Sequence, residues 1–279
     1  MIPIHFFILG GLFYAGAFVA ALFNSQRERT WLKHFQNALI VAGFLSQTLA
    51  LALRGKESHR CPVGDTFEML QFISWSLVVI YAVVGSVFRG SVLGLFTSGL
   101  ATLLGCTGLV LNMFLGVPES VRTPAPLLVE VHASLAFFCY GVFAMLALTS
   151  VMYLLQNWSL RHKRWRGLFG LLPSLAQLEL FNTRLLYTGT AVFSVAMLMG
   201  SYYWHQYPDS LTTLKLASTL AVWLAYLAAS GMRIGAKLHG IRLAWSGAIL
   251  FLAAIFALYA VESNRMHSQA LKNPAHLQR

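Results

Sequence analysis

LLVEVHASLAFFCYGVFAMLALTSVMYLL, residues 127–155, decides the fold. Its only charged residue is Glu130. About 20 apolar residues cross the hydrocarbon core as an α-helix, so this run is long enough to span. A membrane β-barrel is built from strands of about ten residues with alternating polarity, and this run does not alternate. Seven further segments meet the same test, at roughly 5–23, 33–53, 69–88, 91–115, 183–204, 211–232 and 243–262. The sequence therefore predicts an all-α, polytopic membrane helix bundle with about eight transmembrane helices, forming a single integral membrane domain over 1–279. No internal repeat is legible in it, so an inverted-repeat transporter gains no support.

Composition agrees. The 279 residues are 57% hydrophobic and only 10% charged, against about 25% charged in a soluble domain. A charged side chain at a helix centre in lipid costs about 2.5–3.5 kcal/mol, which explains the shortfall. The net charge of +11 does not signal nucleic acid, because the basic residues lie in short loops between apolar runs and no nucleic-acid-binding module is present. Arg27, Arg29, Lys33, Arg89, Arg161, Lys163, Arg164, Arg166, Arg184, Arg233, Lys237 and Arg242 fall on one side. Arg54, Lys56, Arg60, Arg122, Lys215, Arg265, Lys272 and Arg279 fall on the other. The positive-inside rule then places both termini outside. The apolar N-terminus lacks a basic leader and reads as a retained first helix. The loop 156–182 opens with the basic run RHKRWR, and its second part, LFGLLPSLAQLELF, is expected to be a short interfacial helix. Cys106 and Cys139 are expected to be packing residues, and with Cys61 they form no C-x-x-C pair.

His132 begins the fifth helix just inside the membrane, and an intramembrane ionisable residue is a functional candidate. It is read either as a metal ligand or as a neutral imidazole bonded to a neighbouring helix. His267, in VESNRMHSQ, lies just past the last predicted helix on the same side. Two neutral imidazoles approaching from opposite faces can bind an iron porphyrin. Phe67, Phe72 and Trp75 at the start of the third helix, and Tyr202, Tyr203, Trp204 and Tyr207 around the end of the sixth, are either an interfacial aromatic belt or the cover of a flat apolar ligand. Lys215 snorkels to headgroups or pairs with a ligand carboxylate, and Arg122 offers a second cation. No Walker A loop, H-E-x-x-H or G-x-S-x-G motif is present, so no independent catalytic residues are identified.

Four stretches, DTFEMLQFISWSL (65–77), VHASLAFFCYG (131–141), LKLASTLAVWLAYLAASGMR (214–233) and LHGIRLAWSGAILFLAAIFALYAVESNRMHS (238–268), resemble in order and spacing the cytochrome c assembly proteins of the CcsA type. The resemblance is nearest to the HemX and YpjD-like branch. It implies haem b, non-covalently held, with His132 and His267 as paired outer ligands to its iron, Trp75, Tyr203 and Trp204 beside the macrocycle, and Lys215 at a propionate. The loop GSYYWHQYPDS stands where the family has W-x-W-D-P-K, and the family's second intramembrane histidine falls at about Gly231.

The resemblance thus implies a haem-handling protein of cytochrome c biogenesis in a bacterial-type inner (cytoplasmic) membrane. Its partners would be haem, a second membrane assembly subunit, an apocytochrome c, a thiol-reducing protein and the lipid bilayer, with no nucleic acid. The alternative is a HemX-like regulatory or interaction protein that affects haem synthesis or respiratory complex assembly without haem transfer. A small-solute transporter ranks last, because the midplane segments read as almost wholly apolar.

Overall fold

In lipid every backbone N–H and C=O must find its partner within the chain, so an apolar span becomes a helix. The computed structural model describes residues 2–27, 29–58, 61–85, 93–115, 126–162, 172–206 and 213–272. Among these are eight helices and no strand: α1 (Ile2–Arg27), α2 (Thr30–Ser58), α3 (Thr66–Val84), α4 (Leu93–Leu115), α5 (Leu127–His162), α6 (Leu175–Gln206), α7 (Thr213–Ile234) and α8 (Gly240–Lys272). All eight are long and apolar enough to cross a membrane. The predicted fold class holds.

Two boundaries differ from expectation. Of the segment expected to be a separate interfacial helix (168–181), the part from Leu175 on is the first part of α6, and 168–171 lie outside the described residues. Ser174 and Gln177 close a reciprocal capping box there. The Ser174 hydroxyl accepts from the Gln177 N–H and the Gln177 side chain from the Ser174 N–H, each at 3.3 Å. No glycine or proline follows until Gly189, so the helix runs on. Likewise α8 does not stop near 262. It continues through VESNRMHSQALK to Lys272, because a run free of glycine and proline keeps its helix outside the lipid. His267 therefore sits on a helix rather than in a tail.

The helices form two four-helix halves wired in the same way. In each half the first helix packs along the second, the third along the fourth, and the fourth closes back on the first. The likeness reaches single residues. The Trp75 indole N–H donates to Thr48 Oγ1 at 2.8 Å, and the Trp223 indole N–H donates to Ser194 Oγ at 3.0 Å. The Tyr14 ring lies against Gly43 as the Phe143 ring does against Gly189. Ser98 bonds back to the Leu95 carbonyl, and Ser246 bonds to that of Leu243. Gly99 seats α4 on α1, and Gly247 seats α8 on α5. Adding 129 to an α1 number, 146 to an α2 number or 148 to an α3 or α4 number gives the counterpart in the second half. Four helices carry the chain back to its starting side, so the repeat is parallel rather than inverted. The halves meet where α5 crosses α3 at Gly141 and Ser76.

The first half is not apolar at mid-depth, contrary to expectation. Tyr14 Oη donates to Gln47 Oε1 at 3.0 Å. The Gln47 amide donates to the Gln71 carbonyl and side-chain oxygens at 3.0 and 2.9 Å, and the Gln71 amide donates to the Gly105 carbonyl at 3.1 Å. This chain of hydrogen bonds ties α1 to α4. Averaging hydropathy along a helix hides such inward-facing amides. Cys139 is buried as expected, whereas Cys106 faces outward.

Candidate functional site

His132 stands on the second turn of α5, half-buried against α6. Its Nδ1 lies 2.7 Å from the Ala196 carbonyl oxygen. A carbonyl only accepts, so Nδ1 carries the proton and, in the neutral ring, the lone pair is on Nε2. Gly200, one turn along α6, makes the approach possible. A Cβ there would lie 2.6 Å from His132 Cε1 and 3.2 Å from both ring nitrogens. A backbone acceptor on one ring nitrogen is the arrangement that fixes the tautomer and orientation of a metal-binding histidine. Among the described residues no group of three or more His, Cys, Asp and Glu is placed to hold a metal ion.

The other expected residues are spread along the same end of the second half. Tyr203 and Trp204 follow Gly200 by three and four residues, on its side of α6, Tyr203 half-buried and Trp204 more open. Gly247 packs against Leu146 and Ser150. Counting from that antiparallel register at 1.5 Å per residue, the backbone of His267 lies about one turn beyond the level of His132. The bonds Thr190–Ser230 and Trp223–Ser194 set the register of α7 on α6. They bring the backbone of Lys215 level with Tyr203 and Trp204. The side chains of His267 and Lys215, together with Arg122, Tyr207 and Asp209, lie outside the described residues.

Trp75 is not gathered to this group. It belongs to the first half, bonded to Thr48, stacked on Phe44 at 5.8 Å and tilted against Phe72 at 5.6 Å. Its neighbour Ser76 lies beside Gly141, nine residues along α5 from His132. Phe67 packs edge-on against Phe7 at 5.1 Å, inside the first half. On the far side of α5 from α6, a groove of about 400 Å³ runs past Cys61, Phe72, Glu130, Ser134 and Phe138. His132 does not line it.

One constellation escaped sequence reasoning. Glu68 is fully buried at the start of α3. It accepts from Arg54 Nε at 2.9 Å and from the Gly64 N–H at 2.7 Å, while Asp65 caps the Glu68 N–H at 2.7 Å. The signal was an acidic residue inside an apolar run with an acid three residues before it. Arg54, read as an orientation charge, is the counter-ion. Arg54→Ala is expected to cost about 2–3 kcal/mol, below the usual range for a broken buried pair because Arg54 is 30% exposed. Adding Glu68→Gln should recover most of the loss in a thermal melt of the detergent-purified protein. A double variant no more stable than Arg54→Ala would show that the pair is not what holds this end.

Comparison with known proteins bears on this end of the second half. The family described as cytochrome C assembly protein matches residues 63–267, from the loop before α3 to the histidine near the end of α8. The chain belongs to the cytochrome c assembly family. The match includes His132, Gly200, Trp204 and Lys215. Among relatives, the protein named HemX of Brevibacillus brevis is 34% identical over 169 residues, covering 58% of this chain and 59% of its own length. The HemX protein of Bacillus subtilis (strain 168) is 24% identical over 158 residues, covering 55% and 56%. A protein named cytochrome c biogenesis protein CcsA, of Gloeobacter violaceus, is 25% identical over 130 residues, covering 44% and 37%. The chain thus spans a little over half the length of the two HemX relatives and less of the CcsA relative.

Proposed function

We propose that this member of the cytochrome c assembly family handles haem for cytochrome c biogenesis, holding it at the outer membrane face with His132 and His267 as axial ligands. The observation that carries the reading is the seat of His132, with Nδ1–H donated to Ala196 and the ring set against Gly200. Such a seat turns a histidine toward ligation through Nε2. Tyr203 and Trp204 supply aromatic surface one turn outward, and Lys215 supplies a cation at the same level for a propionate. Bound haem would contribute the iron and the reactive periphery, while the chain's own residues ligate, orient and cover it. The ligand is haem b, held without a covalent bond, in a bacterial-type inner membrane. An apocytochrome c is the acceptor, served by a second membrane subunit and a thiol-reducing protein.

The test is an absorption spectrum of the detergent-purified protein, oxidised and then reduced, beside a His132→Ala, His267→Ala double variant. A sharp reduced α-band in the wild type that disappears in the variant supports the proposal. No band, even after haem is added, favours the second reading. That reading, a HemX-like regulatory or interaction protein without haem transfer, draws on the 34% identity to the HemX protein of Brevibacillus brevis, against 25% to the CcsA relative.

A further inference from the structure

In the second half two polar contacts stitch α6 to α7 toward the basic side of the bundle. Thr190 and Ser230 share a hydrogen bond at 3.0 Å, and Arg233 Nη1 donates to Glu179 Oε1 at 2.8 Å. Carried back through the repeat, α6 becomes α2 and α7 becomes α3. Thr190 and Ser230 become Phe44 and Ala82, whose side chains form no hydrogen bond. Glu179 and Arg233 become Lys33 and Gly85. The first half therefore keeps one cation where the second has an ion pair. Among the described residues Lys33 has no ion-pair partner.

At this unstitched joint a groove of about 390 Å³ lies between α2 and α3. Ile40, Phe44 and Val78 give it apolar walls, and Asn37 and Tyr81 line it toward the basic side. The Tyr81 hydroxyl and the amide nitrogen of Gln36 converge on Gly94 of α4, where a Cβ would lie 2.8 and 2.5 Å from them. Gln36 is only 8% exposed. Among the described residues none of these three polar side chains has a hydrogen-bond partner, and hydrocarbon alone would leave them unpaired at a cost. Lys33 stands one turn before Asn37 on the same face of α2.

These features select the occupant. Val41 on one lip is 56% exposed and Ala82 on the other is exposed, so the groove is entered sideways from the bilayer. The occupant needs an apolar chain for the walls, acceptors for the amide and phenol donors, and a negative charge for Lys33. A second copy of this chain would bring mostly cations to this side. An anionic phospholipid meets all three needs, and basic pockets between membrane helices bind such headgroups. A zwitterionic lipid carries its own cation to the same place.

We propose that the groove between α2 and α3 is a binding site for one anionic phospholipid of the leaflet on the basic side, its phosphate held at Lys33 and Asn37 and an acyl chain laid along Ile40, Phe44 and Val78. The lipid does for the first half what the Glu179–Arg233 pair does for the second. The site is independent of haem.

Native mass spectrometry of the detergent-purified protein tests this, with phosphatidylglycerol or phosphatidylcholine of the same acyl chains added. The wild type is expected to retain one phosphatidylglycerol about tenfold more tightly than phosphatidylcholine. Lys33→Gln should abolish that preference, and Ala82→Phe should fill the groove and prevent retention of either lipid. Both positions are exposed, so both variants are expected to fold. Arg242→Gln removes another exposed cation of the same side, on α8, and should leave retention unchanged. Equal retention of the two lipids, retention unaltered by either groove variant, or a loss in Arg242→Gln as large as in Lys33→Gln would each overturn the proposal. So would Lys33→Gln losing haem in place of lipid.

Discussion

Gly200→Ala is expected to lower the haem occupancy of the purified protein about tenfold or more, approaching the loss caused by His132→Ala, although it removes no ligand. The added Cβ would lie 2.6 Å from His132 Cε1. A flexible side-chain end could swing aside at little cost, but this ring is tied by Nδ1 to the Ala196 carbonyl on the same helix. It must give up either the hydrogen bond or its position. Losing the bond releases the tautomer that puts the lone pair on Nε2, and a tenfold weakening corresponds to only about 1.4 kcal/mol. In the proposed haem site Gly200 is thus a positioning residue. Helix propensity works in the opposite sense, because alanine is the better helix former by up to about 1 kcal/mol, so a loss of haem cannot be ascribed to a weakened α6. Gly231→Ala supplies the control, since nothing lies within 4 Å of a Cβ there. It should leave the spectrum unchanged. If Gly200→Ala holds haem as the wild type does, the seat of His132 is not part of a haem site, and the ligand must be sought elsewhere.

The spans were legible because each is long, apolar and unbroken, and lipid permits a lone chain segment little besides a helix. Their ends were less so. Hydropathy loses a helix where it leaves the lipid, which is why the starts of α6 and the last turns of α8 were misread. His132 was legible as an ionisable residue in an apolar run. Its bond to Ala196 was not, because a backbone carbonyl leaves no mark in the sequence, and the glycine that admits the ring looks like any other. Trp75 was placed with the haem residues by its aromatic character, whereas its indole belongs to a packing contact that recurs at Trp223. The repeat itself was hidden because its halves share no single period. The shifts of 129, 146 and 148 change from helix to helix as the connecting segments differ in length. The identities that survive are scattered: Gly43 and Gly189, Trp75 and Trp223, Ser98 and Ser246, Gly99 and Gly247. Only the contacts line them up.

Gly141→Ala is expected to destabilise the protein by about 1–3 kcal/mol, the range for forcing an extra carbon into a packed core, while haem bound per folded molecule stays unchanged. At Gly189 and Gly247 the nearest atoms to a new Cβ belong to the side chains of Phe143 and Ser150 rather than to backbone. At Gly141 they are Ser76 Cβ at 2.4 Å, the Ser76 carbonyl carbon at 2.9 Å and the Leu77 nitrogen at 3.0 Å. Two of these are backbone of α3, so relief requires the halves to part. Ser76→Gly should restore some stability by removing the Cβ clash, but not all of it, since the backbone atoms remain. Ser76→Ala should restore none, because its Cβ stays. A thermal melt of the four proteins in one detergent gives the order, and the reduced spectrum at a matched folded fraction gives the haem. The expected separation of the two readouts follows from the architecture. His132, Gly200 and Trp204 lie within the second half, and Gly141 is nine residues along α5 from His132, about 13 Å at 1.5 Å per residue. Were haem lost in step with the joint, with the folded fraction held constant, the site would extend across both halves, and the first half would have a part in ligand binding beyond bracing α5.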